Sequence, residues 1–224
     1  MLYLNPESHT YYDDQNNIYT SVTTYLGELF PFDQNKIIKE ITNNPKSKYY
    51  KQSKQQILEH WQERAALGTA LHKACEDYIK VKKMPDTPEF VPLVKQFAKL
   101  AFNGRLYSEY IVGDKDYLLA GTIDILEEEP NKIWIWDIKT NTNLDEDKLM
   151  KYSIQLELYR VFTSKTRDKP TQVGGIIYFE DLYFKKEKTR LKVLPVLNVK
   201  HVVQEILEER KEKINLLKKS LIFL

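Results

Sequence analysis

The chain has a single cysteine, Cys75, among its 224 residues. One thiol excludes an intrachain disulfide. It also excludes a zinc or iron–sulfur site ligated by cysteines of this chain alone. No apolar run approaches the roughly 18 residues of a membrane span. The first residues carry Glu7, Asp13 and Asp14 and have the pattern of neither a signal peptide nor an Arg-rich transit peptide. A cytoplasmic protein without a membrane partner is expected. Glycine is sparse, at 7 residues, and nowhere gathers into a phosphate-cradling loop, so no nucleotide cofactor is expected. No Ser-His-Asp or Cys-His arrangement points to a covalent intermediate. Net charge is only +2, and Lys and Arg are missing altogether from residues 1–34. A nucleic-acid surface would therefore have to be local.

What is present is patterned. Residues 1–19 show no period and read as an irregular arm or a short hairpin. Ser21 heads a helix start. Lys36, Lys39, Lys46, Lys48, Lys51 and Lys54 are interleaved with Tyr49 and Tyr50. Lysines for phosphates and rings for bases suit a single-stranded nucleic acid, and a solvated helical surface has the same composition. Ile57, Trp61, Ala65, Gly68, His72, Cys75 and Ile79 recur at three- and four-residue steps, which predicts a helix over about 54–82. In it His72 and Glu76 are neighbours one turn apart. Prolines 85, 88 and 92 lead to a second helix, about 91–101. A strand over 106–112 carries Glu109. A polar loop spans 141–147, and a helix over 148–163 has Gln155 and Tyr159 on one face. Strands at 173–179 and 191–196 are joined by a charged hairpin loop, and an amphipathic helix begins near His201. No repeat or linker interrupts this order. The reading is one α/β domain, 1–224: helices first, then a mixed sheet of about five strands flanked by helices.

The chemistry concentrates in residues 117–140. Two runs rich in β-branched and aromatic residues flank an acidic turn, Glu127 to Asn131, which is a strand–turn–strand signature. Asp124 lies inside the first run, and Asp137 and Lys139 end the second. Residues two apart on a strand share a face, so Asp137 and Lys139 project together with Ile133 and Ile135. Pairing across the turn brings Asp124 beside Asp137. Two carboxylates that close repel unless a cation intervenes. Lys139 supplies one positive charge, and a divalent ion with a preference for oxygen ligands is the natural second. A buried Asp–Lys pair at a strand end accounts for the same spacing.

Gly68-x-x-x-His72-x-x-x-Glu76, Glu109, Gly121-x-x-Asp124, Asp137-x-Lys139 and Gln155-x-x-x-Tyr159 follow one another in an order that resembles the RecB-type nucleases of the PD-(D/E)XK superfamily. Ile123 stands in place of the proline of the family name, and Asp137 is the aspartate form of its D/E position. The resemblance implies a restriction-endonuclease-like core and hydrolysis of DNA phosphodiester bonds with one or two Mg²⁺ or Mn²⁺ ions, without an iron–sulfur cluster. It implies His72, Asp124, Asp137 and the backbone carbonyl of Ile138 as metal ligands. Lys139 matches the lysine that orients or activates the attacking water. Glu109 matches a supporting acidic position, Gln155 and Tyr159 match groups that hold the strand at the scissile phosphate, and Glu76 matches a positioning role.

Within the family the chain is similar to mitochondrial genome-maintenance exonucleases and their phage relatives. That similarity implies action on DNA with a free single-stranded end, alongside replication or recombination proteins, in a bacterial or phage-infected cytoplasm. Residues 21–67 would form a helical arch over a 68–224 core, with Lys36, Lys39, Lys51, Tyr49 and Tyr50 as DNA contacts. Two alternatives stay open: a double-strand-end exonuclease of phage recombination type, and a nuclease fold that holds DNA without cutting it.

Overall fold

The N-terminal residues, aperiodic in sequence, form a meander of three short strands: β1 (Leu2–Asn5), β2 (Thr10–Asp13) and β3 (Ile18–Ser21). The expected arm or hairpin is thus an extension of the main sheet. Each strand is four residues long, too short for a period of two to show. Turn chemistry sets the bends. Asp13 accepts hydrogen bonds from the backbone of Gln15 and Asn17, both at 2.9 Å. The computed structural model describes residues 1–140, 144–180 and 190–222, and side chains up to residue 216. Most of the expected charged hairpin loop, and the first residues of the polar loop, lie outside these.

Helix α1 (Val22–Leu29) is capped by Ser21, whose Oγ accepts from the Thr24 N–H at 3.0 Å. Helix α2 (Gln34–Asn43) is capped by Asp33. Helix α3 (Lys54–Val81) opens with a reciprocal Ser53–Gln56 capping box. A 3₁₀ turn, Pro88–Phe90, leads into α4 (Val91–Phe97). That helix ends earlier than expected because Lys99 and Leu100 donate to the carbonyls three residues back, tightening the chain out of the α form. Then come β4 (Arg105–Asp114), β5 (Leu119–Glu128), β6 (Ile133–Lys139), α5 (Glu146–Thr166), β7 (Thr171–Glu180), β8 (Arg190–Leu194) and α6 (Lys200–Ile222). The turn between β5 and β6 is tighter than the acidic stretch suggested. Glu129 N–H donates to Lys132 O at 2.9 Å, while Glu127 and Glu128 remain in β5.

All eight strands form one mixed sheet, ordered β1-β2-β3-β5-β6-β7-β8, with β4 along the other edge of β5. Five of them, β4 to β8, are those expected. The pairs β3–β5 and β6–β7 are parallel, the rest antiparallel. β3 and β6 share one edge of β5. β3 pairs with Leu119 and Ala120, and β6 with residues 125–128. Residues 121–124 lie in the gap between them. Where Ile135 of β6 faces Val173 and Trp136 faces Gly175, an extra residue bulges from β7. Bulges bend and twist a strand, and β6 parts from β5 just beyond this one while staying paired with β7 as far as Lys139.

Helices cover both faces. α5 packs on the sheet beside α1 and against α6, burying Leu26, Ile123, Ile135, Leu156, Phe162 and Val203 in one core. On the opposite face α3 and α4 bury Leu71, Cys75, Phe97, Ile125, Ile138 and Phe179. A smaller cluster of Ile38, Tyr49 and Ile57, with Trp61 half-buried, joins α2 to the start of α3. The face predicted for α3 is therefore not continuous. Ala65 is exposed and Leu71 is buried, because one helix serves two cores with solvent between. Residues 21–67, expected to act together, are likewise divided. α1 belongs to the main core, and α2 with the first turns of α3 forms the satellite.

Candidate active site

The fork between β5 and β6 holds the two carboxylates. Their ladder ends with Ile125 opposite Trp136, and the next positions in register are Asp124 and Asp137. Asp124 carries the pairing one step further with its side chain, accepting a hydrogen bond from the Ile138 N–H at 2.7 Å. His72 approaches from α3, with Nδ1 3.6 Å from the same Asp124 oxygen. Gly68, one turn earlier, makes this approach possible. A Cβ there would lie 2.5 Å from Thr140 Oγ1, so only a bare glycine lets α3 rest against the end of β6. Burial lowers the His72 pKa, with Asp124 and the Ile138 backbone opposing and Lys139 assisting. The ring is neutral near pH 7, the form that has a lone pair to offer.

Asp137 is buried and faces α5. Lys139 Nζ lies 2.6 Å from its Oδ2 and 4.5 Å from the Tyr152 ring centroid. Gln155 Nε2 lies 3.5 Å from Asp137 Oδ1 and 3.4 Å from the Tyr159 hydroxyl, both long for hydrogen bonds. Tyr159 in turn lies against Gly121, where a Cβ would come within 2.5 Å of its hydroxyl. Burial raises the Asp137 carboxyl; Lys139 offsets part of this and Asp124 adds to it. Burial pulls Lys139 down, but Asp137 and Asp124 outweigh it and the ammonium stays charged. Behind the site, burial and then Asp124 push the Cys75 thiol up to about 12, so it is no nucleophile.

Glu109 sits opposite Asp124 between the pairs Ser108–Ile125 and Tyr110–Ile123, and it has a left-handed backbone, φ 52°. Facing inverts at this point on both strands. Tyr107 and Tyr110 pack against one core, as do Ile123 and Leu126, although residues three apart on a regular strand point oppositely. A non-glycine residue there costs about 1–3 kcal/mol, a strain that clusters at functional sites. Desolvation, then the charges of Asp124 and Glu76, push the Glu109 carboxyl up to about 7 against the pull of Lys80 and Lys73. Glu76 is bound by Lys80 at 2.5 Å and Lys73 at 3.1 Å.

The remaining expected residues fall in the satellite. Lys36, Lys39, Lys51 and Tyr50 are exposed. Tyr49, expected to stack on a base, is instead only 7% exposed, because its ring completes the small cluster with Ile38 and Ile57. Two residues at the fork had no sequence signal. Tyr11, buried on β2, has its hydroxyl 2.9 Å from Thr122 Oγ1, two residues before Asp124. Only the long-range β3–β5 pairing brings it there.

Whether this fork suits a metal ion is a question of donors. Among the described residues, no three His, Cys, Asp or Glu side chains already converge on one point. The groups at the fork nonetheless fit a hard divalent cation: two carboxylates, a neutral imidazole and a strand-end carbonyl. Asp137 Oδ2 is buried with the Lys139 ammonium 2.6 Å away as its charged partner. The two carboxylates in register carry two negative charges against the one of Lys139, a balance that a divalent cation would complete.

A family model of the PD-(D/E)XK nuclease superfamily matches residues 93–221, from α4 to α6 and more than half the chain. The chain belongs to the PD-(D/E)XK nuclease superfamily. With that membership come nuclease activity, DNA as substrate and the general use of divalent ions such as Mg²⁺ or Mn²⁺. The α/β fold, a mixed sheet flanked by helices, is the restriction-endonuclease-like one that the motif order implies. No curated protein matches the chain. Among twelve similar solved chains, SSO0001, known as a crystal structure, is 14% identical over 86% of this chain and 83% of its own, at a TM-score of 0.38. A likeness that low says nothing of activity. The family match takes in Glu109, Asp124, Asp137, Lys139, Gln155 and Tyr159, whereas His72 and Glu76 precede it. No helix of the described residues is long and apolar enough to cross a membrane.

Proposed function

We propose that this PD-(D/E)XK protein is a metal-dependent exonuclease that hydrolyses DNA from free single-stranded ends, in replication, repair or recombination. The observation that carries the reading is the fork, where Asp124 and Asp137 fall in register just past the last β5–β6 pair, with Lys139 2.6 Å from Asp137. His72, Asp124, Asp137 and the Ile138 carbonyl hold the ion. When bound, one or two Mg²⁺ or Mn²⁺ ions supply the positive charge that the developing phosphate and the leaving oxygen require. Lys139 orients the attacking water and donates charge toward the phosphate. Gln155 and Tyr159, buried between Asp137 and Gly121 of β5, back the position of the scissile strand. Glu109 supports the site from β4 and takes up a proton near neutral pH. Glu76 positions Lys73 and Lys80 beside it. The single buried cysteine is consistent with work in a reducing cytoplasm, bacterial or phage-infected.

Action from an end is supported by the satellite of α2 and the first turns of α3. Its lysines, exposed around a small independent cluster, suit a strand passing toward α3 and His72. The test is digestion of end-labelled linear single strands, linear duplexes and closed circular single strands in Mg²⁺ and in Mn²⁺. Linear single strands should be degraded and circles should survive. Efficient cutting of circles would remove the exonuclease reading, and loss of duplex alone would favour a double-strand-end enzyme. DNA retention without nucleotide release in either metal would leave a binding module.

A further inference from the structure

A groove lies beyond Glu109. α3 runs on past Glu76 beside β4, and the groove, of about 610 Å³, opens between its last turns and the start of β4. This cavity is offset from the fork, and neither Asp124 nor Asp137 lines it. Lys80, Lys82 and Arg105 line it, and among the described residues no Asp or Glu does. Tyr78, Phe97 and Phe102 line its floor, and Trp136 backs them from behind. Tyr78 meets Phe97 edge-on at 6.4 Å, Phe97 meets Phe102 at 5.9 Å, and Phe102 meets Trp136 edge-on at 5.7 Å. Two of the cations already lie over aromatic faces. Lys82 Nζ is 4.8 Å from the Tyr78 centroid, and the Arg105 guanidinium carbon is 5.0 Å from that of Tyr107.

The groove is also held rigid. Glu127, 2% exposed, accepts from the backbone N–H groups of Asn103 at 2.6 Å and Gly104 at 3.0 Å, and from Trp136 Nε1 at 3.1 Å. Three donors on one buried carboxylate fix the segment that presents Arg105. Continuity with the fork is direct. Lys80 pairs with Glu76 at 2.5 Å, and Ser108, at the end of the groove, precedes Glu109. The four steps along β4 from Glu109 to Arg105 span about 13 Å, room for a few nucleotides. Lys80 already has Glu76 as its partner, but Lys82 and Arg105 lie over fixed rings with no carboxylate among the described lining residues, the composition of a single-strand path.

We propose that this groove binds the single-stranded DNA segment adjoining the scissile phosphate, with Lys82 and Arg105 on its phosphates and Tyr78 and Tyr107 against its bases. The placement relative to the scissile phosphate rests on the nuclease reading above. Lys82→Ala/Arg105→Ala tests it, since both side chains are exposed and neither touches the carboxylates. Binding of a labelled oligothymidylate is measured in EDTA across a salt series, with cleavage measured separately in Mg²⁺. For two lost phosphate contacts the slope of log K against log salt should fall by about 1.4. KM should rise while kcat stays within about twofold, the pattern of lost uniform binding. An unchanged slope and KM would overturn the proposal. So would thymidine monophosphate competing as well as the oligonucleotide, which would mark a free-nucleotide site. Because the slope is read without metal, it decides the groove even where the wild type releases no nucleotide, a result that would sink the nuclease reading separately.

Discussion

The fork and the satellite both set charged side chains among apolar ones, and they treat the charge in opposite ways. At the fork, Asp137 and Gln155 are buried, and Asp124 and Lys139 stand at the margin of the two larger cores. Burial there pushes the Asp137 carboxyl up, with the Lys139 ammonium beside it opposing. In the satellite, Lys36, Lys39 and Lys51 stay in solvent, while Ile38, Tyr49 and Ile57 make a small core of their own. The difference lies in what stands behind each region. Extensive packing on both faces of a sheet can hold partly satisfied polar groups in place, because so many other contacts over-determine their positions. A cluster of a few residues has no such reserve, so its charges act at long range through solvent.

Substitutions that exchange the behaviour of the two regions test this contrast. The largest effect is expected from Asp137→Asn. Removing a metal-holding carboxylate should lower nucleotide release by a factor on the order of 10³ or more, with the circular dichroism spectrum unchanged. Activity within about tenfold of wild type would reduce the fork to a buried ion pair. Next comes Lys139→Ala, which should lower kcat by roughly 10²–10⁴, the worth of a positioned acid–base group. A loss confined to KM would make Lys139 a phosphate binder, no different in kind from the satellite lysines.

Replacing Lys36, Lys39 and Lys51 together by Ala should leave kcat at saturating DNA near wild type. The salt slope of single-strand binding should fall by about 2, at roughly 0.7 per phosphate contact. An unmoved slope would show that the satellite is solvated surface and nothing more. The smallest effect concerns the strain opposite Asp124. Glu109→Gly relieves a left-handed backbone worth about 1–3 kcal/mol, less the 0.5–1 kcal/mol that glycine loses on ordering. A net gain of about 1 kcal/mol in urea unfolding is expected, with activity falling as the carboxylate is lost. Stability that drops with activity would mean that the Glu109 side chain, and not function, maintains this conformation.

Much of the fork was legible before any fold was known. The helix over Lys54–Val81, the placing of Asp137 and Lys139 on one strand face, and the register of Asp124 against Asp137 all follow from residues close in sequence. The satellite was legible only as composition. Lysines beside tyrosines say nothing of which ring is turned inward, and Tyr49 is buried while Tyr50 is exposed. Helical periodicity also could not show that α3 serves two cores, because the spacing of apolar residues does not record what each one meets.

Caps, periods of two and of about four, and a short turn between strands depend on contacts within a few residues, so the sequence by itself determined the main elements and the order of the carboxylates along them. The tertiary structure alone decided the rest. It brought the N-terminal meander to β5 and Tyr11 to Thr122, separated in sequence by 111 residues. It inverted the facing at Glu109, left residues 121–124 between two strands on one edge of β5, and set the cations of α3 and β4 around one aromatic floor. Each of these depends on which distant segments exclude water together, and that choice is made by the packing of the whole chain.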